Sequence, residues 1–189
     1  IVIFTSDNGP ERYAFARAEN YDHFSMGDFR GLKRDVWEGG HHIPMIVKWP
    51  GKVKAGTESD ALISQIDLMA TLTAAVNIEL PPEAAPDSYN LLPVWTGKND
   101  QARIRESLVH NTRAGLWGLR NGRWLYINQS SGSISEMPES FKKLRGYTDF
   151  ETEGLLFDLE NDPGQRVNLY ESHPDIVQNM EDLLERHLE

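Results

Sequence analysis

The sequence opens on an apolar run that ends abruptly in turn-forming residues. Ile1-Val2-Ile3-Phe4 is rich in β-branched and aromatic side chains, and the next six residues read Thr-Ser-Asp-Asn-Gly-Pro. A short apolar run bounded by turn residues is typical of a buried strand flanked by others, as in a parallel sheet. We therefore predict such a strand at residues 1–5. Because the sequence begins inside it and has no initiator Met, we expect it to be part of a longer protein.

Composition narrows the classes of function. The 189 residues carry a formal net charge of −10, which argues against nucleic acid or an anionic membrane as the main partner. There is no cysteine, which excludes a thiolate zinc site, a disulfide scaffold and a cysteine nucleophile within these residues. No apolar run approaches the roughly 18 residues of a membrane helix, so no membrane span is predicted.

The periodicity of apolar residues predicts an α/β fold in two parts of different architecture. Residues 1–104 read as the end of an α/β sheet layer, and residues 105–189 as a small antiparallel sheet with a terminal helix. The short apolar runs predict strands at 45–49, 107–111, 115–120, 124–128 and 155–159. Apolar residues at helical spacing predict a helix near residues 66–76, whose apolar face consists of Leu68, Met69, Leu72 and Val76. A second helix is predicted to begin at Pro174, and its apolar face consists of Ile176, Met180, Leu183, Leu184 and Leu188.

The remaining stretches are predicted as turns and loops. Residues 11–31 show no sustained period and are predicted to be a long loop, and residues 129–153 a polar surface excursion. Asn121-Gly122 lies between two strand-like runs and predicts a hairpin in which both of these residues adopt positive φ.

Two groups of residues are candidates for binding a metal ion or an anionic ester. Asp7 and Asn8 follow the first strand, at the end where open α/β sheets bind ligands, and their oxygens suit Ca²⁺ or Mg²⁺. The alternative is a plain Asx turn. Lys33 has Arg30 and Arg34 as neighbours, and such a cluster can hold an anionic ester or form a solvated basic loop.

The histidines permit two interpretations. His41 and His42 resemble transition-metal ligands, but on an extended chain adjacent side chains point to opposite sides, so we do not expect both to bind one ion. His110, in a predicted strand, is either a substrate-binding or a structural residue. An alternating cluster follows His110: Arg113, Trp117, Arg120 and Arg123. This cluster could bind a polyanionic sugar, or it could be the half-exposed face of an ordinary hairpin. We favour the hairpin.

Three blocks together resemble the sulfatase family of the alkaline phosphatase-like superfamily. They are IVIFTSDNGP at Ile1–Pro10, KRDVWEGGHHIPMIVKWPG at Lys33–Gly51 and LLFDLENDPGQRVNL at Leu155–Leu169. Their order and spacing, with Gln65-Ile66-Asp67-Leu68 between them, are similar to the C-terminal half of that family. The resemblance covers essentially the whole chain and implies an alkaline phosphatase-like sheet layer.

The resemblance assigns roles to the candidate residues. It implies that Asp7 and Asn8 complete a Ca²⁺ site and that Lys33 contacts the sulfate ester, with His110 as a further substrate-binding candidate. His42 stands where the family commonly has Arg. The implied substrate is a sulfated small molecule or a sulfated carbohydrate, and the implied location is extracytoplasmic: periplasmic, secreted or lysosomal.

The family nucleophile does not occur in this sequence. Sulfatases use formylglycine, made from Cys or Ser in a Cys/Ser-x-Pro-x-Arg motif, and the nearest match, Ser172 to Ile176, lacks the Arg. We therefore expect the nucleophile in an absent N-terminal half. The isolated chain is then expected to be inactive and to bind Ca²⁺ only weakly, since Asp7 and Asn8 offer two or three of the 6–8 oxygens required. A phosphoester or phosphonate ester hydrolase of the same superfamily, and a non-catalytic binding or structural fragment, are the alternatives.

Overall fold

The computed structural model describes residues 1–81, 83–98, 104–112 and 115–189. In the described residues the helices and strands are, in chain order, β1 (Val2–Thr5), α1 (Tyr13–Tyr21), α2 (Glu38–His41), β2 (Met45–Lys48), a 3₁₀ turn (Gln65–Asp67), α3 (Leu68–Ala75), α4 (Leu92–Trp95), β3 (Ser107–Asn111), β4 (Trp117–Asn121), β5 (Trp124–Ile127), α5 (Glu139–Arg145), β6 (Leu155–Asp158) and α6 (Pro174–Leu188). None of these helices combines the length and apolar character needed to cross a membrane.

The chain folds into two compact units. Unit 1 consists of Ile1–Thr5 and Met45–Leu108, and unit 2 consists of Ser6–Pro44 and Val109–Glu189. The mixed α/β class predicted from the sequence is confirmed, including the antiparallel sheet and the terminal helix. The division at residue 104 remains a prediction.

In unit 1, β1 pairs with β2 in antiparallel register. Val2 lies opposite Lys48 and Phe4 opposite Ile46. Phe4 and Ile46 are 62% and 61% exposed. The prediction of a buried strand in a parallel sheet is therefore wrong for the described residues. Apolar content indicates a strand but does not specify its partner or what covers its faces.

Helix α3 forms where predicted but buries its polar side. Asp67 and Thr71 have no exposed surface, whereas the predicted apolar face is exposed at Met69, Leu72 and Val76. The carboxylate of Asp67 accepts hydrogen bonds from the backbone of Tyr89 at 2.9 Å and from the guanidinium of Arg105 at 2.6 Å. Residues distant in sequence thus satisfy the buried polar side, which helical periodicity does not predict.

Unit 2 is built on a sheet with the strand order β3-β4-β5-β6 in the described residues, to which β3 contributes from Val109 onward. Helix α6 covers one face by packing Val177, Met180 and Leu184 on Leu119, Tyr126 and Leu156. The other face holds the buried Val36 and Trp37 against Leu125, Ile127, Leu155 and Phe157. Because both faces are covered, every residue of β6 is buried. Val36 and Trp37 follow Lys33 closely, so the core of this unit anchors the candidate lysine loop.

The predicted hairpin forms, with a different turn. Asn121 is the last paired residue of β4 and lies opposite Trp124, so the two central residues are Gly122 and Arg123. Gly122 has φ of 57°, and neither Asn121 nor Arg123 has positive φ. The pattern of positive φ at the first central position fits a type II′ turn, and the expected positive φ at Asn121 is wrong.

Two stretches predicted as loops each contain a helix. Helix α1 lies within residues 11–31 and α5 within residues 129–153. Phe15 of α1 packs on Phe141 of α5 with ring centroids 4.7 Å apart. Each helix has an apolar face too short to stand out in its own sequence window, and the two faces bury each other.

Candidate active site

Two loops of unit 2 that are separate in sequence meet in the structure. The N–H of Gly9 donates to the carbonyl of Gly40 at 2.8 Å, and the N–H of Lys33 donates to the carbonyl of Pro10 at 3.0 Å. A Cβ atom at Gly9 would overlap the backbone of Gly39. Glycine is therefore required for this close approach. The contact places the Asp7-Asn8 segment beside the loop of Lys33.

The side chain of Lys33 lies in an ion-pair cluster. Its Nζ is 3.1 Å from Oε1 of Glu11, and a guanidinium nitrogen of Arg34 is 3.1 Å from Oε2 of the same carboxylate. The hydrogen bonds from Arg34 and Lys33 lower the pKa of Glu11. About a third of the Lys33 side chain is exposed, so the ammonium group remains within reach of an anion. Glu11 directly follows the Asn-Gly-Pro turn, and sequence analysis did not identify it.

The three neighbouring cations are not brought together. Arg30 is buried, with its guanidinium 4.2 Å from the ring of Trp37, and it donates to the carbonyls of Thr148 and Gln165. Burial lowers the pKa of this guanidinium. Arg30 therefore stabilises the core and takes no part in a cluster with Lys33.

Asp35 fixes the main chain around Lys33. Its Oδ2 accepts from the N–H of Leu32 at 2.9 Å, and its Oδ1 accepts from the N–H groups of Ile134 and Ser135, each at 2.8 Å. The hydroxyl of Ser135 in turn donates to the carbonyl of Lys33 at 3.2 Å. Burial raises the pKa of Asp35, and these backbone hydrogen bonds oppose that rise. A segment about a hundred residues away thus holds the Lys33 loop in place.

Asp7 and Asn8 form a short turn of their own. The hydroxyl of Ser6 donates to the carbonyl of Asn8 at 2.9 Å, and Nδ2 of Asn8 donates to the carbonyl of Gly9 at 3.0 Å. The Asn8 amide therefore keeps its Oδ1 as an acceptor, and the carboxylate of Asp7 is exposed. Both are hard oxygen donors of the kind Ca²⁺ prefers. Within the described residues no three His, Cys, Asp or Glu side chains cluster to form a metal site.

Glu38 is the centre of a second cluster in unit 2. Its carboxylate is buried and contacts Nε2 of His41 at 3.5 Å, Nδ1 of His42 at 2.7 Å and Nη1 of Arg120 at 3.3 Å. Burial alone would raise the pKa of Glu38, but the hydrogen bonds from the two histidines and the charge of Arg120 outweigh it and hold the pKa well below the usual range.

The two adjacent histidines do not lie on an extended chain. His41 and His42 lie at the end of α2, three and four residues after Glu38, so helical geometry turns both rings toward that carboxylate. The expectation that they point to opposite sides is wrong for this reason. Glu38, like Glu11 and Asp35, was not identified from the sequence, although it begins the Glu-Gly-Gly segment.

His110 contacts the Lys33 block at Val36, not at Lys33 itself. Its Nε2 lies 3.0 Å from the carbonyl of Val36, and its ring centroid lies 3.7 Å from that of His41. Its Nδ1 is buried, with no hydrogen-bond partner among the described residues. Burial, assisted by the nearby His41, lowers the pKa of His110 to about 3. Its predicted contact with substrate remains a prediction.

The basic cluster suggested for a polyanionic sugar is engaged internally where it is described. Arg120 pairs with Glu38, Arg123 pairs with Asp158, and Trp117 packs against the core under α6. Arg113 lies outside the described residues.

Comparison with known proteins finds similarity in sequence and in fold. A family model described as Sulfatase matches residues 1–78. The chain is 37% identical to an N-acetylgalactosamine-6-O-sulfatase of Bacteroides thetaiotaomicron, with 98% of the chain and 35% of that protein aligned. It is 29% identical to arylsulfatase K of Rattus norvegicus, over 97% of the chain and 29% of that protein.

A solved structure from work on glycosaminoglycan metabolism by Bacteroides thetaiotaomicron superimposes with a TM-score of 0.77 at 36% identity. The superposition covers 98% of this chain and 38% of that one. The chain thus spans about a third of the length of the curated relatives that it matches.

Proposed function

Because this chain belongs to the sulfatase family, we propose that it forms part of an enzyme that hydrolyses sulfate monoesters. In this proposal Lys33 binds the sulfate group, and Asp7 and Asn8 are ligands of Ca²⁺. The supporting observation is the pair of backbone hydrogen bonds, Lys33 to Pro10 and Gly9 to Gly40, which joins the loops carrying these residues.

The chemistry of the reaction suits these groups. A sulfate ester is an anion, and negative charge grows on its oxygens as the S–O bond to the leaving group breaks. An ammonium group held at that position stabilises the developing charge more than the ground state. Lys33 is suited to this role because its backbone is fixed on both sides while its Nζ stays accessible, held beside Glu11 until an anion competes for it.

Asp7 and Asn8 fit a calcium site by donor type. Bound Ca²⁺ would supply further positive charge to the sulfate oxygens. The two residues provide two or three of the 6–8 oxygens that Ca²⁺ takes, so the proposal places the remaining ligands elsewhere in the full protein. It also takes the formylglycine nucleophile from outside this sequence, which contains no Cys/Ser-x-Pro-x-Arg motif.

We further propose a sulfated carbohydrate as the substrate. The relative at 37% identity is named for a sulfated N-acetylgalactosamine, which makes a sulfated hexosamine the first substrate to try. An extracytoplasmic location belongs to the same proposal.

Steady-state kinetics of Lys33→Ala in the full-length protein tests this function. Loss of one charge-stabilising donor typically lowers kcat by roughly 10²–10³. We expect a loss of that size, mainly in kcat and smaller for aryl sulfates with good leaving groups. Lys143→Ala, which removes an exposed lysine of α5, is the matched control and should be unchanged. A change of less than about twofold in both kcat and KM would remove Lys33 from the site.

A further inference from the structure

His42 is held at one edge by a buried carboxylate. Its Nδ1 lies 2.7 Å from Oε2 of Glu38, a residue only 3% exposed. Because the Glu38 carboxylate is also paired with Arg120, it is ionised and acts only as a hydrogen-bond acceptor. Nδ1 of His42 therefore donates to this carboxylate, and in the Nδ1-protonated tautomer the lone pair lies on Nε2.

The ring is also fixed on its face. Phe29 stacks on it with centroids 4.2 Å apart and an interplanar angle of 21°. The side chain of His42 is nevertheless 49% exposed. In the described part of the chain, Nε2 has no hydrogen-bond partner. The ring is thus rigidly oriented, with one ring nitrogen left available to a ligand.

The segment that carries His42 is joined to the candidate active site by a backbone hydrogen bond. His42 lies two residues after Gly40, whose carbonyl accepts the N–H of Gly9. Gly9 directly follows Asn8. The contact between Gly9 and Gly40 therefore ties the end of α2, where His42 sits, to the loop proposed to bind Ca²⁺.

We propose that His42 is a substrate-binding residue whose Nε2 accepts a hydrogen bond from a hydroxyl group of the sulfated sugar, with Glu38 and Phe29 as positioning residues. The identity of the ligand rests on the proposed function. The orientation of the ring rests on the geometry alone. A preorganised acceptor loses little side-chain entropy on binding, which is why a stacked and hydrogen-bonded ring suits this role.

The orientation is tested first by the tautomer of His42. A ¹⁵N-edited NMR spectrum of the full-length protein at neutral pH is expected to show His42 protonated on Nδ1. His42 protonated on Nε2 would overturn the proposal, since that nitrogen could then no longer accept a hydrogen bond.

Binding is tested by NMR titration of the full-length protein with three probes: N-acetylgalactosamine 6-sulfate, unsulfated N-acetylgalactosamine and inorganic sulfate. We expect the sulfated sugar to shift the signals of both His42 Nε2 and the Lys33 side chain, and inorganic sulfate to shift Lys33 alone. His42→Phe keeps an aromatic ring on Phe29 but removes the acceptor. It should weaken binding of the sulfated sugar roughly fivefold, as expected for one hydrogen bond, and leave sulfate binding unchanged. His23→Phe, an exposed histidine elsewhere in unit 2, is the control.

The possible outcomes separate the two proposals. Shifts at Lys33 without shifts at His42, together with unchanged affinity in His42→Phe, would overturn the role of His42 and leave the proposed function in place. Shifts at His42 with either sugar, but none at Lys33 with sulfate, would support His42 and count against the role of Lys33. No shift at either residue at millimolar probe concentrations would overturn both.

Discussion

His110 packs its imidazole against Gly118 and the ring of His41, with its Nε2 on the carbonyl of Val36. The ordinary pKa of histidine is 6.5, whereas burial lowers the pKa of His110 to about 3 in the folded protein. Between these two values the unfolded chain binds a proton at this residue and the folded chain does not. Acidification through this window therefore favours unfolding.

The pH dependence of stability tests the state of His110. We expect the free energy of unfolding to fall as pH decreases from about 6.5 to about 4, by up to about 1.4 kcal/mol per pH unit from this residue. His110→Gln retains a donor for Val36 and should show a shallower slope, while the exposed-site control His23→Gln should not. Parallel stability curves for the wild type and His110→Gln would show that His110 is protonated in the folded protein.

Asp35 is the residue through which the Lys33 loop is held. Asp35→Asn replaces an acceptor of three backbone hydrogen bonds by an amide whose NH₂ group opposes one of those donors. We expect the free energy of unfolding to fall by about 2 kcal/mol and the amide of Lys33 to exchange its hydrogen faster. Asp28→Asn, at an exposed carboxylate 4.0 Å from Arg145, is the matched control. Unchanged exchange at Lys33 would mean that Asp35 does not position this loop.

At the scale of elements, α3 is stabilised through its polar side. The hydroxyl of Thr71 donates to the carbonyl of Asp67 at 2.6 Å and accepts from the N–H of Leu91 at 2.9 Å. Leu91 is fully buried, so without this acceptor its N–H would lack a partner. The attachment of the following segment to α3 in unit 1 therefore depends on a hydroxyl group.

Two isosteric substitutions on α3 separate this role from helix propensity. Thr71→Val should lower the free energy of unfolding by about 1–3 kcal/mol because it leaves the Leu91 N–H unsatisfied. Thr73→Val changes a hydroxyl that donates to carbonyls of its own helix and should cost less than about 1 kcal/mol. Equal decreases in the free energy of unfolding of the two variants, measured by thermal or urea denaturation, would show that the hydrogen bond to Leu91 adds no stability.

At the scale of the whole molecule, unit 1 exposes an apolar surface. Val2, Phe4 and Ile46 lie on one face of the β1–β2 pair and are each more than 60% exposed. An exposed apolar surface of this kind is accessible to a hydrophobic dye in the isolated chain.

Dye binding tests this surface. We expect the chain to bind the hydrophobic dye ANS and to enhance its fluorescence. The double variant Phe4→Thr/Ile46→Thr should lose most of this fluorescence. Its free energy of unfolding should change by less than about 0.5 kcal/mol, because threonine is favourable in a strand and both positions are exposed. Tyr21→Thr/Val167→Thr removes two exposed side chains in unit 2 and should keep the signal. Equal fluorescence of the wild type and both double variants would show that the dye binds outside the β1–β2 surface.

Much of the fold was predictable because its signals are local. Pro174 at the first turn of α6, the glycine of the 121–124 turn and the short apolar runs act through sterics and hydrogen bonding within a few residues. The two loops of the candidate site were identified by residue type and by resemblance: Asp7 and Asn8 follow the first strand, and Lys33 lies in a block that resembles the sulfatase family.

Only the tertiary structure decided what each face of an element meets. It exposed the apolar side of α3 and of β1, turned His41 and His42 onto Glu38, and brought Ser135 to the carbonyl of Lys33. Contacts between residues about a hundred positions apart depend on how whole elements pack, and no local pattern encodes them. The sequence by itself thus determined which residue types stand at the candidate site, whereas packing determined the partners that hold them.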